Sequence, residues 1–394
     1  MYEQYEQKER REAMKAMLKL FFKFFRKLDK MLLLATVCCS GFGILQLYSM
    51  MVNSREQYIT NITVSYTTQL VACLMGISIA LFLSLIDYHM IAKLWYLYAP
   101  ACLGMTMLLF VFGRGRDGAD DINWLDIGPI SIQPSEFLKI AFILSFAYHI
   151  FKTQEKFNKP LNVALLCVHG MVPIGLIAIQ GDHGTAIVFC CIFVAMLFVG
   201  GISWKYIAAA FLALPVGIIL LWNYVLESHH KKRIQILFNP DLDPTGVGNQ
   251  QRQGKIALGS GQLNGKGLFG GRYSYVTEQH NDFIFSYVGQ TVGFIGCAIL
   301  CVVLAYICYR IISNASMAQD KLGQMICVGV FAQIFAHCIL NIGMVLGVMP
   351  VIGVPLPFIS QGGTAMLTMF VSIGLVLSVY SHSGKNANIL YFGK

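Results

Sequence analysis

The sequence predicts an all-α polytopic membrane protein with about ten transmembrane helices and one large polar loop between the seventh and the eighth. Three observations carry that reading. Hydrophobic residues make up 56% of the 394 positions and charged residues only 12%, with a mean hydropathy of +0.62, too little polar surface for a soluble globular domain. Apolar runs of about 20 residues, the length needed to cross a bilayer, recur along the whole chain. Glycines and the charge outside those runs collect instead in one stretch, Arg233 to Phe285.

Residues 1–30 read as a separate basic segment and residues 31–394 as a single membrane domain. Lys15, Lys19, Lys23 and Lys27 recur every four residues among Leu18, Phe21, Phe22 and Phe25. That spacing suits an amphipathic helix on anionic lipid, or a plain orientation signal. Spans are expected near 32–52, 67–86, 94–113, 136–151, 161–180, 184–201, 204–223, 283–309, 325–349 and 361–381. The twelve cysteines all fall inside them and read as small core residues, not as a disulfide framework. Residues 1–30 hold no apolar run ending in a cleavage site, so the first span is expected to direct insertion itself.

Basic residues over short loops set the orientation. Nine lie between residues 8 and 30, and alternate loops then carry Lys93, Lys152 with Lys156 and Lys159, Lys205, Arg310 with Lys321, and finally Lys385 and Lys394. Both termini are therefore expected in the cytoplasm. Loops 53–66, 114–135, 181–183, 224–282 and 350–360 are expected outside. The long one still holds Lys231, Lys232, Arg233, Arg252, Lys255, Lys266 and Arg272, an excess that asks for an anionic partner there. No nucleic-acid partner is expected.

Within that loop, residues 246–271 contain nine glycines interleaved with Arg252, Lys255 and Lys266. Backbone N–H groups freed by glycine, with nearby cations, suit a phosphate. An acid, Asp282, follows just before the eighth span. It reads either as a proton acceptor or as an N-cap, since Asp favours that position. Glu136 and Lys139 enter the fourth span three residues apart, as an ion pair or as part of a watery cavity. Asp182 lies between glycines Gly181 and Gly184 separated by His183, as a tight turn or a cavity group. Pro350, Pro355 and Pro357 precede Ser360 to Thr364, a rigid connector or a re-entrant segment with Ser360 facing a cavity. His149, His169 and His337 stand alone on apolar helices and read as core residues. No metal-ligand spacing is present.

Taken together the motifs resemble the shape, elongation, division and sporulation (SEDS) family, which includes RodA, FtsW and SpoVE. The resemblance rests on Trp124-Leu125-Asp126-Ile127-Gly128, Gln133 through Lys139, Asp182 with Gly184-Thr185, Ala257 through Gly261, Gly265-Lys266-Gly267, Gln279 through Phe285, and Asn341-Ile342-Gly343-Met344 with Pro355-Leu356-Pro357-Phe358. It covers nearly the whole chain, and Val351-Ile352-Gly353-Val354-Pro355 is nearer the RodA branch. Thr277, Gly181 and Gln361 differ from the family's usual proline, proline and tyrosine, and Gln290-Thr291 replaces a frequent acidic pair.

The resemblance implies a ten-span peptidoglycan glycosyltransferase of the bacterial cytoplasmic membrane that polymerises lipid II outside, beside a class B penicillin-binding protein. It makes Asp282 the essential acid. Extending a glycan needs a base at the acceptor hydroxyl and positive charge at the departing diphosphate. Asp282 is expected to take the proton of the acceptor GlcNAc 4-hydroxyl as that oxygen attacks the donor's anomeric carbon with inversion. Undecaprenyl diphosphate then leaves, neutralised by Arg233 and Lys266, with Arg252 or Lys255 as further candidates. Metal use is open, and a divalent cation, Mg or Mn, would suit a diphosphate. Two other readings stay open: a transporter of lipid-linked oligosaccharide with Glu136, Lys139 and Asp182 along its path, and a scaffold for the penicillin-binding protein.

Overall fold

The computed structural model describes residues 27–53, 56–115, 122–128 and 130–383. The basic segment expected to lie on lipid falls almost wholly outside them, as do Lys385 and Lys394. The chain runs α1 (Lys30–Asn53), α2 (Glu56–Leu83), α3 (Tyr88–Lys93), α4 (Trp95–Met107) and α5 (Leu109–Phe112) into a small sheet. That sheet, β1 (Arg114–Gly115), β2 (Ile122–Ile127) and β3 (Ile130–Ile132), is antiparallel throughout, with Asp126 opposite Ser131. Then come α6 (Pro134–Thr153), α7 (Pro160–Ile179), α8 (His183–Gly200), α9 (Trp204–Leu220), α10 (Ser228–Phe238), α11 (Val247–Ser260), α12 (Ile284–Met317), α13 (Lys321–Leu346) and α14 (Gly363–Ser381).

Among the described residues nine helical stretches are long and apolar enough to cross a membrane. Helix α6, at the place of the expected fourth span, is not among them. It is less apolar because Glu136 and Lys139 lie within it, and it compensates by sitting inside the bundle, with fourteen of its 20 residues buried. Helix α13 is also enclosed along most of its length, whereas no residue of α9 is buried. Small residues permit close approach elsewhere. A Cβ on Gly76 of α2 would press on Phe370, and one on Gly374 of α14 would meet the backbone of Ala80 at 2.8 Å, so these two helices lie backbone to backbone.

Several span ends differ from expectation. Helix α2 begins at Glu56, inside the expected 53–66 loop. Helix α12 runs on to Met317 because Arg310, expected in a loop, pairs with buried Asp29 at 2.7 Å, and Asn314 donates to the same carboxylate at 2.9 Å. A charge neutralised inside the bundle does not end a helix. Cys38, Cys190 and Cys191 are exposed on the apolar surface, while Cys39, Cys73, Cys297, Cys308, Cys327 and Cys338 are core residues as expected.

The glycine-rich loop is not an open cradle. Its first half forms α10 and α11, and its second half docks on a break in α12 at Gly293, whose φ of 67° and ψ of −167° leave the helix. Across that break Lys266 and Gly267 donate to the carbonyls of Gln290 and Thr291 at 2.8 and 3.0 Å, and Phe294 and Ile295 donate to Gln262 and Leu263 at 2.8 and 3.1 Å. Glycine is required on both sides, because a Cβ at Gly265 would overlap Thr291 and one at Gly293 would overlap Gly265. These N–H groups therefore serve the break and not an anion.

Candidate active site

The 347–362 segment enters the bundle. A Cβ on Gly43, midway along α1, would come within 2.8 Å of the backbone of Phe358 and Ile359, and Gln69 of α2 donates to the Ser360 carbonyl at 2.9 Å. The re-entrant reading is what forms. Ser360 itself is buried, its hydroxyl accepting from Leu356 N at 2.8 Å, so it shapes the segment from within.

Four connections predicted to lie on one side of the membrane meet at one cavity of about 310 Å³, lined by Asn123, Gln133, Glu136, Asp182, Arg233, Gln250, Glu278, Asn281, Asp282, Gly353 and Gln361 among others. The connections predicted to lie on the opposite side meet at the other end of the bundle, where His89 bonds Asp320 and Lys321 donates to Val199, whereas Asn53, before α2, bonds Leu268 and Gly270 of the long loop.

Asp282 lies at the foot of α12, and the N-cap of that helix is Phe283, with no side-chain cap bond. Asp282 thus stands one residue ahead of the cap position. Its backbone carbonyl accepts from Asn341 at 2.8 Å, and Asn341 also donates to Val354 at 2.7 Å, which fixes Asp282 beside the re-entrant segment. Gly353, at φ 64°, faces it closely enough that a Cβ would stand 3.5 Å from Oδ2.

Glu136 and Lys139 form both structures that the sequence left open. Their ion pair is 2.7 Å long and buried, and Glu136 also lines the cavity. Thr368 of α14 donates to the second Glu136 oxygen at 3.0 Å, while Lys139 reaches His337 Nε2 at 2.9 Å. Asp182 likewise does both. It caps α8 by accepting from Thr185 N at 2.9 Å, and it accepts from Asn123 and Gln133 at 3.3 and 3.5 Å inside the cavity.

Among the expected cations, Arg233 of α10 lines the cavity. Arg252 and Lys255 are exposed on α11, with the Lys255 chain lying over Gly347, and Lys266 turns back to the carbonyl of Arg272 at 3.1 Å. None of these three is among the cavity-lining residues. Reading residue types had passed over Glu278, whose carboxylate accepts from Asn281 at 2.7 Å, and the amides Asn123, Gln133 and Gln250. The dense polar run 277–282 was the available signal. Among the described residues no group of three His, Cys, Asp or Glu side chains is placed to hold a metal ion.

Two grooves flank the cavity. One, of about 530 Å³ and mostly apolar, shares Asp182, Arg233 and Ile352 with it and runs out along α7 and α8. The other, of about 880 Å³, shares Trp124, Gln361 and Gly362 and runs along α2 past Val71 and Met75. At its polar end Arg114 lies 3.4 Å from Asp126, and the Ser131 hydroxyl, helped by Arg114, holds the Asp126 carboxyl below the usual carboxylate range.

Comparison with known proteins follows the same lines. Residues 29–385 match the model of the FtsW/RodA/SpoVE cell cycle protein family. The peptidoglycan glycosyltransferase MrdB of Escherichia coli K12 is 35% identical over 73% of this chain and 77% of its own. A probable peptidoglycan glycosyltransferase FtsW of Trichlorobacter lovleyi is 32% identical over 89% and 92%. In fold, the chain is similar to a component of a peptidoglycan synthase complex that coordinates polymerization and crosslinking, with a TM-score of 0.76 at 23% identity over 93% of this chain and 99% of that one. It is also similar to the rod shape determining protein RodA of Thermus thermophilus, with a TM-score of 0.67 at 22% identity over 91% and 98%. This chain, a multi-pass membrane protein, belongs to the FtsW/RodA/SpoVE family.

Proposed function

We propose that the chain is a peptidoglycan glycosyltransferase that polymerises lipid II at the outer face of the bacterial cytoplasmic membrane, both termini being cytoplasmic. The carrying observation is one polar cavity, walled by Asp282 and flanked by two grooves that each share residues with it. Joining two lipid-linked glycans needs that layout: two tails in apolar surroundings and two sugars meeting in a polar space.

Asp282 accepts the proton of the acceptor's 4-hydroxyl as that oxygen bonds to the donor's anomeric carbon. The bond from that carbon to the diphosphate oxygen breaks on the opposite face, giving inversion, and undecaprenyl diphosphate carries off the electron pair. Arg233, at the junction of the cavity and the apolar groove, meets the charge of the leaving group, so that groove is assigned to the donor. Positioned acids and bases of this kind supply about 10²- to 10⁴-fold. A divalent cation, Mg or Mn, would suit the charge of that diphosphate.

The transporter reading has less support. Lys139, which would line its path, is wholly buried and bonded to Glu136 and His337. Incubating the purified protein with lipid II, alone and with a class B penicillin-binding protein, tests the proposal. Glycan polymer is the expected product, and its absence in both reactions would leave the scaffold and transporter readings.

A further inference from the structure

Asn341 of α13 is fully buried, and its Nδ2 donates to the carbonyls of two separate segments, Asp282 at 2.8 Å and Val354 at 2.7 Å. Carbonyls only accept, so the amide nitrogen is the atom that faces them and Oδ1 is turned elsewhere. Oδ1 is buried and meets no hydrogen-bond partner among the described residues. A buried acceptor left unpaired works against stability, so folding alone does not account for an asparagine here. What the position needs is one planar nitrogen with two hydrogens at short reach. Serine brings one hydrogen, leucine none, and glutamine a longer chain that would overpack a fully buried site.

We propose that Asn341 is a positioning residue for the transfer reaction, a fork that sets the gap between the Asp282 carboxylate and the re-entrant segment. The proposal rests on the polymerase reading for the reaction itself. Val354 follows Gly353, which faces Asp282 so closely that an added Cβ would stand 3.5 Å from Oδ2. Tying the Asp282 and Val354 backbones to one nitrogen fixes the carboxylate against that wall. Asn341 is not among the cavity-lining residues, so it acts through Asp282 and not on the sugars. Gln361 N and Gln250 Nε2 brace the same turn at the carbonyls of His280 and Thr277, at 2.9 and 2.8 Å, whereas Asn341 holds Asp282 itself. A second fork offers a control. Gln251 of α11, also buried and outside the cavity lining, donates from Nε2 to the carbonyls of Met344 and Met349 at 3.1 Å each. It ties the end of α13 to the start of the re-entrant segment by the same chemistry.

The test compares Asn341→Leu with Gln251→Leu in the full-length protein, at a temperature where melting curves show both folded. Each variant removes one fork. With lipid II as substrate, Asn341→Leu is expected to lose about 10²-fold in kcat, as for a misplaced reacting group, while KM stays within a few-fold of wild type. Gln251→Leu should melt earlier yet keep its kcat. Labelling of Asp282 by a water-soluble carbodiimide, counted by mass spectrometry against Asp126, should rise several-fold in Asn341→Leu and stay at the wild-type rate in Gln251→Leu. Asn341→Ser, which keeps one hydrogen, decides if the leucine variant does not fold: its kcat should fall, and a wild-type kcat would overturn the proposal. Equal kcat losses in the two leucine variants would show general loosening and overturn it as well, as would unchanged labelling of Asp282. Wild-type protein that makes no polymer removes the polymerase reading, and the labelling alone then decides whether Asn341 sets the carboxylate.

Discussion

Lys139 donates to Nε2 of His337 at 2.9 Å, and the opposite nitrogen of that ring, Nδ1, lies 3.0 Å from the carbonyl of Pro355. A carbonyl only accepts, so Nδ1 carries the proton and Nε2 offers its lone pair to the ammonium. The buried ion pair of α6 is thereby fastened through α13 to the re-entrant segment beside Asp282. It holds the cavity wall in place, and its loss should be felt there.

Removing one partner strands a buried charge. Glu136→Gln or Lys139→Met alone is expected to destabilise by about 3–5 kcal/mol. The double variant should lose less than the sum, by about 1 kcal/mol or more. Thermal unfolding of the four proteins in one detergent checks this, and additive losses would show that the charges do not act as a pair.

Asp282→Asn keeps the side chain's size and an oxygen able to cap α12, so folding should be nearly unaffected. Polymerisation should fall by about 10²- to 10⁴-fold. A folded variant that makes polymer within a few-fold of wild type would remove Asp282 from the base role.

Gly293→Ala forces a Cβ into Gly265 and into a backbone conformation reserved for glycine. Strain of this kind costs on the order of 1–3 kcal/mol before the overlap is counted. The variant should unfold earlier than wild type and expose residues 262–267 to protease; unchanged protection would mean that the break is not held by that segment.

His89 lies between Asp87 at 2.8 Å and Asp320 at 2.6 Å, at the bundle end away from the cavity. Partial burial works against its charge, but the hydrogen bonds to the two carboxylates outweigh it and raise its pKa above the ordinary 6.5. A pKa raised in the folded state gives stability that is complete below the unfolded value and lost as pH rises through the folded one. The wild-type melting temperature should therefore drop through a step beginning near 6.5, which His89→Gln lacks. The site is about a third exposed, so screening keeps the step small. Parallel curves for the two proteins would refute it.

Sidedness is checked by single cysteines in a background lacking the native ones. Positions near 155 and 318 should react only after the inner face is opened, and positions near 245 and 275 from outside. Labelling of the 226–283 connection from the cytoplasm would move the whole site to the wrong face for lipid II polymerisation.

The spans were legible because a bilayer enforces length and apolarity, and α6 was found despite its charges because Pro134 and the run after Lys139 still mark a helix. Their ends were less so. Arg310 looks like a loop residue until Asp29 is placed beside it, and sequence separation hides that pairing. In the polar loop, α11 was missed because Gly248, Gly254 and Gly259 lower helix propensity, whereas Gly254 is needed where Phe283 would meet a Cβ at 2.8 Å. Asp282, Arg233, Glu136 and Asp182 do converge. Arg252, Lys255 and Lys266 lie elsewhere, since proximity along a chain does not tell which side of a helix or turn a charge occupies.

The break at Gly293 also imposes an order on biogenesis. Residues 262–267 are synthesised before α12, and they supply the partners for the groups that the break releases at Gln290, Thr291, Phe294 and Ile295. Unpaired, each such group is costly away from water. The eighth span thus starts as an unfinished helix, and takes its final form only after the preceding segment has reached the same end of the bundle and been laid against it. Docking of the loop is a folding step of the span that follows.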